Sequence, residues 1–197
     1  MKTNQLTLPM FPLNLVLFPS ESTKLYIFEQ RYRQMVEDCL RNNASFGIPY
    51  VERGHMKNYG SEIRINRILK TYENGSMDIL VEGVSLFRLK AFKDILKPKL
   101  YGAGLIEPLG NDPKIQLNNL QDALVNYYNT VQDKLIDYDT VTKLKLYSVA
   151  ADLQLSNPEK YRLITAADQQ NHLLNVVNFL LHIVRTEQRL KDRIIEN

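Results

Sequence analysis

The sequence predicts an α+β protein in which an antiparallel β-barrel, with one short helix inserted, precedes an α-helical bundle that ends in a long helix. The first observation behind this prediction is that all eight glycines lie at or before Gly110. The second is a change of apolar spacing near that point, from short alternating runs typical of strands to three- and four-residue repeats typical of helices. We therefore expect a β-barrel over residues 1–111 and a helical bundle over residues 112–197.

The clearest strand pair in the first part surrounds the dipeptide Asn74-Gly75. Apolar residues recur on both sides of it, at Ile63, Ile65 and Ile68 before the dipeptide and at Ile79 and Val81 after it. Asn-Gly favours the two left-handed backbone conformations of a type I′ turn, which matches the twist of paired strands. Further strand-rich stretches cover residues 84–92 and 100–109. Several short strands joined by regular turns indicate a closed or nearly closed barrel.

The inserted helix is expected between Glu29 and about Asn42, where apolar residues recur at helical spacing. Cys39 lies on that apolar face, so we interpret it as a small buried hydrophobic residue and not as a reactive thiol. We interpret Glu29 and Arg31 as a structural bracket at the start of the helix, where a carboxylate complements the positive end of the helix dipole. A contact with a ligand is the alternative role for this pair.

Helix-capping residues organise the second part of the chain. Asp112 followed by Pro113 is a favourable helix start, with an N-cap residue and a proline at the first helical position. Ser156 and Glu159 have the spacing of a capping box. The last helix is expected to begin near Asp168 and to approach about 40 Å in length.

The composition excludes several classes of protein. Hydrophobic residues make up 44% and charged residues 24% of the chain, as in ordinary globular proteins. The single Cys39 excludes an intramolecular disulfide, and no apolar run reaches the roughly 20 residues of a membrane span. No long apolar segment precedes Pro9, so we expect no signal peptide and a cytoplasmic location. The net charge, 25 − 22 = +3, is low for a dedicated nucleic-acid binder.

Three short motifs near the start of the chain are more specific. They are LPMFPL at residues 8–13, VLFP at 16–19 and IFEQRYR at 27–33. Together they resemble the opening signature of the Lon N-terminal domain family, and later stretches match its following strands, so that the resemblance spans nearly the whole chain. We assign a structural role to the matching residues, which are Pro12, Phe18, Pro19, Phe28, Glu29, Arg31, Tyr32, Gly47 and Gly83.

The resemblance implies a PUA-like β-barrel followed by helices, and a role in recognising protein substrates. In full-length Lon proteases, separate domains supply the ATPase and protease activities. This sequence has no G-x-x-x-x-G-K-[ST] motif to hold phosphates, and its 197 residues are too few for those domains. We expect a stand-alone, non-enzymatic domain without a cofactor. Its expected partners are unfolded or extended protein segments, in protein quality control, together with a separate protease or chaperone.

The sequence offers no group of residues for catalysis or metal binding. His55, His172 and His182 are far apart, and neither H-E-x-x-H nor Cys-x-x-Cys occurs. The Ser–Lys site of Lon proteases has glycine- and serine-rich surroundings, which Ser148 and Ser156 lack. We therefore predict neither catalytic nor metal-ligating residues.

Tyrosine is the residue type best suited to binding in this chain, which has eleven tyrosines and no tryptophan. A tyrosine ring offers apolar area together with a polar tip. Some tyrosines fall at predicted strand ends or loops, where they would line a substrate groove near apolar patches or a free strand edge. These candidates are Tyr26, Tyr50, Tyr59 and Tyr101. The alternative for each of them is a place in the core of the barrel.

Two other functions stay open. The first is RNA binding, because PUA-like barrels of other families contact RNA and the chain has one dense basic cluster. The lysines of that cluster are Lys90, Lys93, Lys97 and Lys99. A solvated loop explains such a cluster as well. The second is a scaffold that docks through the long final helix. The oligomeric state and the identity of the partner do not follow from the sequence.

Overall fold

The structure, a computed structural model, describes residues 6–132 and 134–195. Residues 1–5, on which the expectation about a signal peptide rests in part, lie outside the described residues. Within the described ranges, none of the helices combines the length and the apolar character that a membrane-spanning helix needs.

The chain forms two compact units. The first contains the residues up to Asn111 together with Gln154–Tyr161, and the second contains Asp112–Leu153 and the residues from Arg162 onward. The boundary predicted at residue 111 assigns Gln154–Tyr161 to the helical bundle, whereas in the structure this segment belongs to the unit that contains the strands. The reason is that Asn157 and Lys160 of this segment form hydrogen bonds and an ion pair with the loop between the first two strands.

In the described residues of the first unit, six strands form the sheet. They are β1 (Leu6–Met10), β2 (Ser22–Ile27), β3 (Phe46–Glu52), β4 (His55–Thr71), β5 (Met77–Lys93) and β6 (Gly102–Pro108). Strands β1, β3, β4, β5 and β6 close into a ring because β6 pairs with both β1 and β5, while β2 pairs with β5 alone. The predicted α+β fold with a nearly closed barrel is therefore confirmed.

One pairing in the sheet is parallel, so the barrel is mixed and not wholly antiparallel as predicted. β1 runs parallel to β3, with Met10 opposite Gly47, and all other strand pairs are antiparallel. A parallel pair needs a long connection between its strands. Here that connection contains β2 and the helix α1 (Gln30–Asn42), which return the chain to β3 in its original direction.

The core of the first unit lies between the sheet and α1. Its buried side chains include Phe46, Ile48, Ile63 and Ile79 from the strands and Tyr32, Met35, Val36 and Cys39 from the helix. The predicted helix and its buried face are thus confirmed. Burial also raises the pKa of Cys39 to about 11, so the thiol stays protonated at neutral pH and behaves as the predicted small hydrophobic residue.

The hairpin turns differ from the prediction. The type I′ conformation occurs between β3 and β4, where Arg53 and Gly54 have φ angles of 51° and 78°. Between β4 and β5 only Gly75 is left-handed, with φ 77°, so the predicted type I′ turn at Asn74-Gly75 is wrong. The N–H of Gly75 donates to the carbonyl of Tyr72 at 2.9 Å, and Asn74 Oδ1 accepts the N–H of Ser76 at 2.9 Å. The hydrogen bond from the Ser76 N–H to the Asn74 side chain favours a loop longer than the two residues of a type I′ turn.

The remaining helices are α2 (Asn118–Val131), α3 (Tyr138–Val141), α4 (Leu146–Asp152), α5 (Asn157–Thr165) and α6 (Gln169–Ile195). Asp112 does not begin a helix as predicted, because its carboxylate accepts the N–H groups of Tyr147 and Ser148 and so caps α4. The predicted starts of α5 and α6 are correct. The Glu159 carboxylate accepts the N–H of Ser156, and the Asp168 carboxylate accepts the N–H of Asn171.

Candidate functional site

Strand β2 lies outside the closed ring, at one end of the strand order, and within residues 6–132 and 134–195 it has a partner strand on one side only. It pairs with β5 in a regular antiparallel register, from Ser22 opposite Glu82 to Ile27 opposite Met77. In the described part of the chain no strand pairs with its other edge. Ser22, Lys24 and Tyr26 are exposed, whereas Ile27 is buried. Because side chains alternate along a strand, one face of β2 packs on the core and the other faces solvent.

Aromatic side chains form a row on this solvent-facing side. The Tyr26 ring stacks on Phe28 with centroids 5.8 Å apart, and it meets Tyr72 edge-on at 5.9 Å. The Lys70 Nζ lies 4.5 Å from the centroid of the Tyr72 ring. Tyr26 is 51% exposed and Phe28 is 61% exposed. We call this group, Lys24, Tyr26, Phe28, Lys70 and Tyr72, the β2 surface.

A buried carboxylate holds the β2 surface in place. Asp78 Oδ2 lies 2.8 Å from Lys24 Nζ and accepts the Tyr72 hydroxyl at 2.8 Å. The Tyr26 hydroxyl donates to Ser76 Oγ at 3.0 Å. The hydrogen bond from Lys24, more than that from Tyr72, lowers the pKa of Asp78, and the same carboxylate raises the pKa values of Lys24 and Tyr72. These bonds fix the Tyr26 and Tyr72 side chains and leave the Tyr26 ring half exposed, while Phe28 is held only by its stacking on Tyr26.

The structure separates the four predicted binding tyrosines. Tyr26 is opposite Asp78 at one end of β5, and the half-buried Tyr59 is opposite Arg88 near the other end. Asp78 and Arg88 are ten residues apart along β5, which corresponds to about 33 Å of fully extended strand. Tyr50 is buried and stacks on Tyr161 at 4.9 Å, whereas Tyr101 is buried and donates its hydroxyl to Asp38 at 2.8 Å. No single groove joins these four rings, and Tyr26 is the member that presents its ring to solvent.

Most of the signature residues occupy packed positions. Phe18 and Tyr32 are buried, while Pro12 and Pro19 are half-buried. A Cβ on Gly83 would collide with the backbone carbonyl of Phe18, and one on Gly47 would lie 2.6 Å from Met10 Sδ. Arg31 Nε donates to Glu29 Oε2 at 2.9 Å, in an exposed pair beside the start of α1. Among the aromatic signature residues, Phe28 differs from the buried Phe18 and Tyr32 because it is 61% exposed.

The sequence analysis missed Phe28 and Tyr72 as binding candidates. A signal for Phe28 was present, because Lys24, Tyr26 and Phe28 alternate with Leu25 and Ile27 and therefore share one face of an extended segment. Tyr72 carried no such signal. It joins the row only because the β4–β5 loop places it beside Tyr26.

The basic cluster considered for RNA is partly occupied by carboxylates. Lys90 Nζ lies 2.5 Å from Glu107 Oε2, and Lys99 Nζ lies 2.7 Å from Asp38 Oδ2. The carboxylates of these pairs neutralise the positive charge with which the lysines would otherwise attract RNA phosphates. As for metal ions, no group of three or more His, Cys, Asp or Glu side chains in residues 6–132 and 134–195 is arranged to hold one.

Comparison with known proteins identifies the family of this fold. The model of the ATP-dependent protease La (LON) substrate-binding domain matches residues 7–194. The chain belongs to this Lon substrate-binding domain family. Comparison with curated protein sequences gave no match.

Solved structures of Lon N-terminal domains have the same fold. A Lon N-terminal domain protein from Xanthomonas campestris is similar with a TM-score of 0.64 and 24% identity, over 88% of this chain and 98% of that chain. The N-terminal domain of the Mycobacterium avium complex Lon protease is similar with a TM-score of 0.62 and 13% identity, over 87% and 95% of the two chains. The resemblance stated from the motifs is thus confirmed. Because the Lon substrate-binding domain accounts for nearly all of these 197 residues, they contain no ATPase or protease domain.

Proposed function

We propose that this Lon substrate-binding domain holds exposed, extended segments of other proteins on its β2 surface, without cleaving them. The observation that carries the proposal is the pair of aromatic rings on Tyr26, in strand β2, and Phe28, directly after that strand, each of which is more than half exposed. Large rings that are fixed in place bind apolar side chains at little cost in conformational entropy. Unfolded proteins expose such side chains, and folded proteins bury most of them.

The family supports a substrate-binding role of this kind, and the absence of catalytic domains within these residues supports binding without cleavage. A segment held on the β2 surface is then available to a separate protease or chaperone. No observation on the described residues favours the RNA-binding alternative. Two of the four lysines in its basic cluster are engaged with carboxylates, which lowers the positive charge of that cluster.

The proposal is tested by measuring the affinity for a permanently unfolded protein, such as reduced and alkylated α-lactalbumin, by fluorescence anisotropy. We expect the Tyr26→Ala/Phe28→Ala double variant to bind at least about tenfold more weakly, since central aromatic residues of an interface contribute about 1–2 kcal/mol each. The same protein in its native, disulfide-bonded form should bind weakly to both.

Phe179→Ala is the matched control. Phe179 is 63% exposed on α6 in the second unit, against 61% for Phe28, so Phe179→Ala removes an equally exposed phenylalanine ring that is not part of the β2 surface. We expect Phe179→Ala to bind as the parent does. Equal affinities for the parent and the double variant would overturn the assignment to the β2 surface, and no binding by the parent would overturn the proposed function.

A further inference from the structure

The unpaired edge of β2 presents backbone groups to solvent in a defined order. The N–H of Gly83 donates to the carbonyl of Glu21 at 2.9 Å, and the register from Ser22 to Ile27 is uninterrupted. Residues of an antiparallel pair alternate between those whose N–H and C=O face the partner strand and those whose groups face away. Thr23, Leu25 and Ile27 therefore bond to β5, while the backbone groups of Ser22, Lys24 and Tyr26 point outward. We call this row of outward groups the β2 edge.

The β2 edge is regular, unlike the other free edge nearby. Residues 64–71 of β4 extend beyond their pairing with β3, and they too lack a second partner strand in the described part of the chain. Their register with β5 shifts twice, between Ile65 and Arg67 and between Ile68 and Lys70. Such bulges twist an edge and interrupt its hydrogen-bonding row, which discourages strand addition. No shift occurs along β2.

Lysine on an edge strand commonly blocks pairing with another strand. Lys24 does not do so here, because its ammonium group is bound at 2.8 Å to Asp78 on the neighbouring strand β5. The charge therefore lies over the face of the sheet and leaves the edge open. The Lys24 side chain is nevertheless 58% exposed, so it can attract a second carboxylate.

We propose that an extended segment of another protein binds the β2 edge as an added antiparallel strand, with an aromatic or β-branched residue opposite Tyr26 and an acidic residue two positions further along the segment, opposite Lys24. This inference rests on the proposed function and names its binding mode and its preferred sequence. Directly opposed residues share a face of the sheet, so the first residue contacts the Tyr26–Phe28 stack and the second lies beside the Lys24 ammonium. Main-chain bonds supply affinity, and the two side chains supply selectivity.

The test uses a labelled ten-residue peptide of alternating threonine and valine that carries one phenylalanine and, two residues towards its C-terminus, one glutamate, which is the order that antiparallel pairing with Tyr26 and Lys24 requires. In the proposed register the amides of these two residues bond to the β2 edge. We expect N-methylation of both to weaken binding at least tenfold, while methylation of the residues between and beside them changes it less than threefold. Replacing the glutamate by lysine should weaken binding about threefold, and less at high salt.

Paired variants of the protein test the same hydrogen bonds by changing the β2 edge instead of the peptide. Lys24→Pro removes an outward N–H, whereas Lys24→Ala removes the same side chain and keeps that N–H. Proline is tolerated on an edge strand where its nitrogen faces solvent. We expect Lys24→Pro to bind the peptide at least tenfold more weakly than Lys24→Ala, and Ser22→Pro to bind more weakly than Ser22→Ala. Circular dichroism verifies that each variant is folded, and the methylated peptides test the inference even if a proline variant is not.

The possible failures are distinguishable. If the parent binds unfolded protein through Tyr26 and Phe28, but the two sets of methylated peptides bind alike, strand addition is wrong and the proposed function stands. If the parent binds no unfolded protein, the proposed function itself fails. If sedimentation shows that the parent dimerises through this edge and Lys24→Pro does not, a second copy is the occupant, which also overturns the inference.

Discussion

At the scale of single residues, the buried Asp78 carboxylate holds two side chains of the β2 surface. Lys24 and Tyr72 both bond to its carboxylate, and Tyr26 packs against Tyr72. A carboxylate that accepts such bonds is stabilised in its ionised form, which is why its pKa lies below the ordinary value. The order of the exposed rings therefore depends on one ionised group.

This dependence predicts how Asp78→Asn changes stability with pH. Because the pKa of Asp78 is lower in the folded chain than in the unfolded one, the carboxylate stabilises the fold above the unfolded-state pKa of about 4. That contribution disappears as the pH falls through the folded-state pKa. We expect the variant to be less stable than the parent at pH 7, and the difference to shrink below about pH 4.

Urea denaturation between pH 7 and about pH 3 measures the free energy of unfolding of both chains. Asp139→Asn is the control, because Asp139 forms an exposed ion pair with Lys143 in the second unit. Such exposed pairs contribute less than about 1 kcal/mol. A difference between parent and Asp78→Asn that stays constant over this pH range would contradict the prediction.

At the scale of elements, the beginning of α5 is part of the strand-built unit. Asn157 Oδ1 accepts the N–H of Val16 at 3.0 Å, and its Nδ2 donates to the carbonyl of Asn14 at 3.0 Å. Lys160 is buried and lies within 2.5 Å of the Glu21 carboxylate. The same carboxylate accepts the N–H of Phe18 at 2.7 Å. One turn of helix thus satisfies polar groups of the loop that leads from β1 to β2.

Removal of one member of the Lys160–Glu21 pair should therefore be costly. We expect Lys160→Met to lower the free energy of unfolding by about 3 kcal/mol, because it leaves the half-buried Glu21 carboxylate without its cation. Glu21→Gln in the same chain should restore part of that loss, since it removes the unpaired charge. Chemical denaturation of the two single variants and the double variant measures the coupling. Additive losses would show that the pair does not interact.

The elements themselves were largely predictable, because each depends on local sequence. The apolar spacing around Met35 and Cys39 predicted α1, and alternating residues around Ile63 and Ile79 predicted the long strands. Contacts between distant residues were not predictable in this way. Asp112 caps α4 instead of its own helix because a folded neighbour offers unbonded N–H groups.

The candidate site was less predictable than the fold, for the same reason. Tyr26, Tyr50 and Tyr101 have similar sequence surroundings at strand ends, but burial is decided by what packs above each ring. Tyr161, distant in sequence, covers Tyr50, and Asp38 of α1 binds Tyr101. Tyr26 has no such cover because its strand lies outside the ring. The free edge of β2 is likewise not predictable from the sequence, because it depends on the order of the strands in the sheet.

At the scale of the whole molecule, charge bears on the RNA-binding alternative. The excess of 25 basic over 22 acidic residues is small, and Lys90 and Lys99 are engaged by carboxylates. We expect a single-stranded RNA of about 20 nucleotides to show no retention in a filter-binding assay at 150 mM salt and micromolar protein. Tight binding at 50 mM salt that weakens steeply by 200 mM would contradict this and favour the RNA-binding function.

The closure of the ring through β1 has a consequence for synthesis on the ribosome. β1 pairs with β3 and with β6, and Leu6 finds its partner Ile106 only after nearly the whole strand-built part has been made. At about 5–20 residues per second, roughly 100 residues take some 5–20 s to emerge. During that interval the nascent chain carries β1 with one edge unfilled. We therefore expect water to satisfy the free edge of β1 until β6 has been synthesised, so that the ring closes only after its last strand is available.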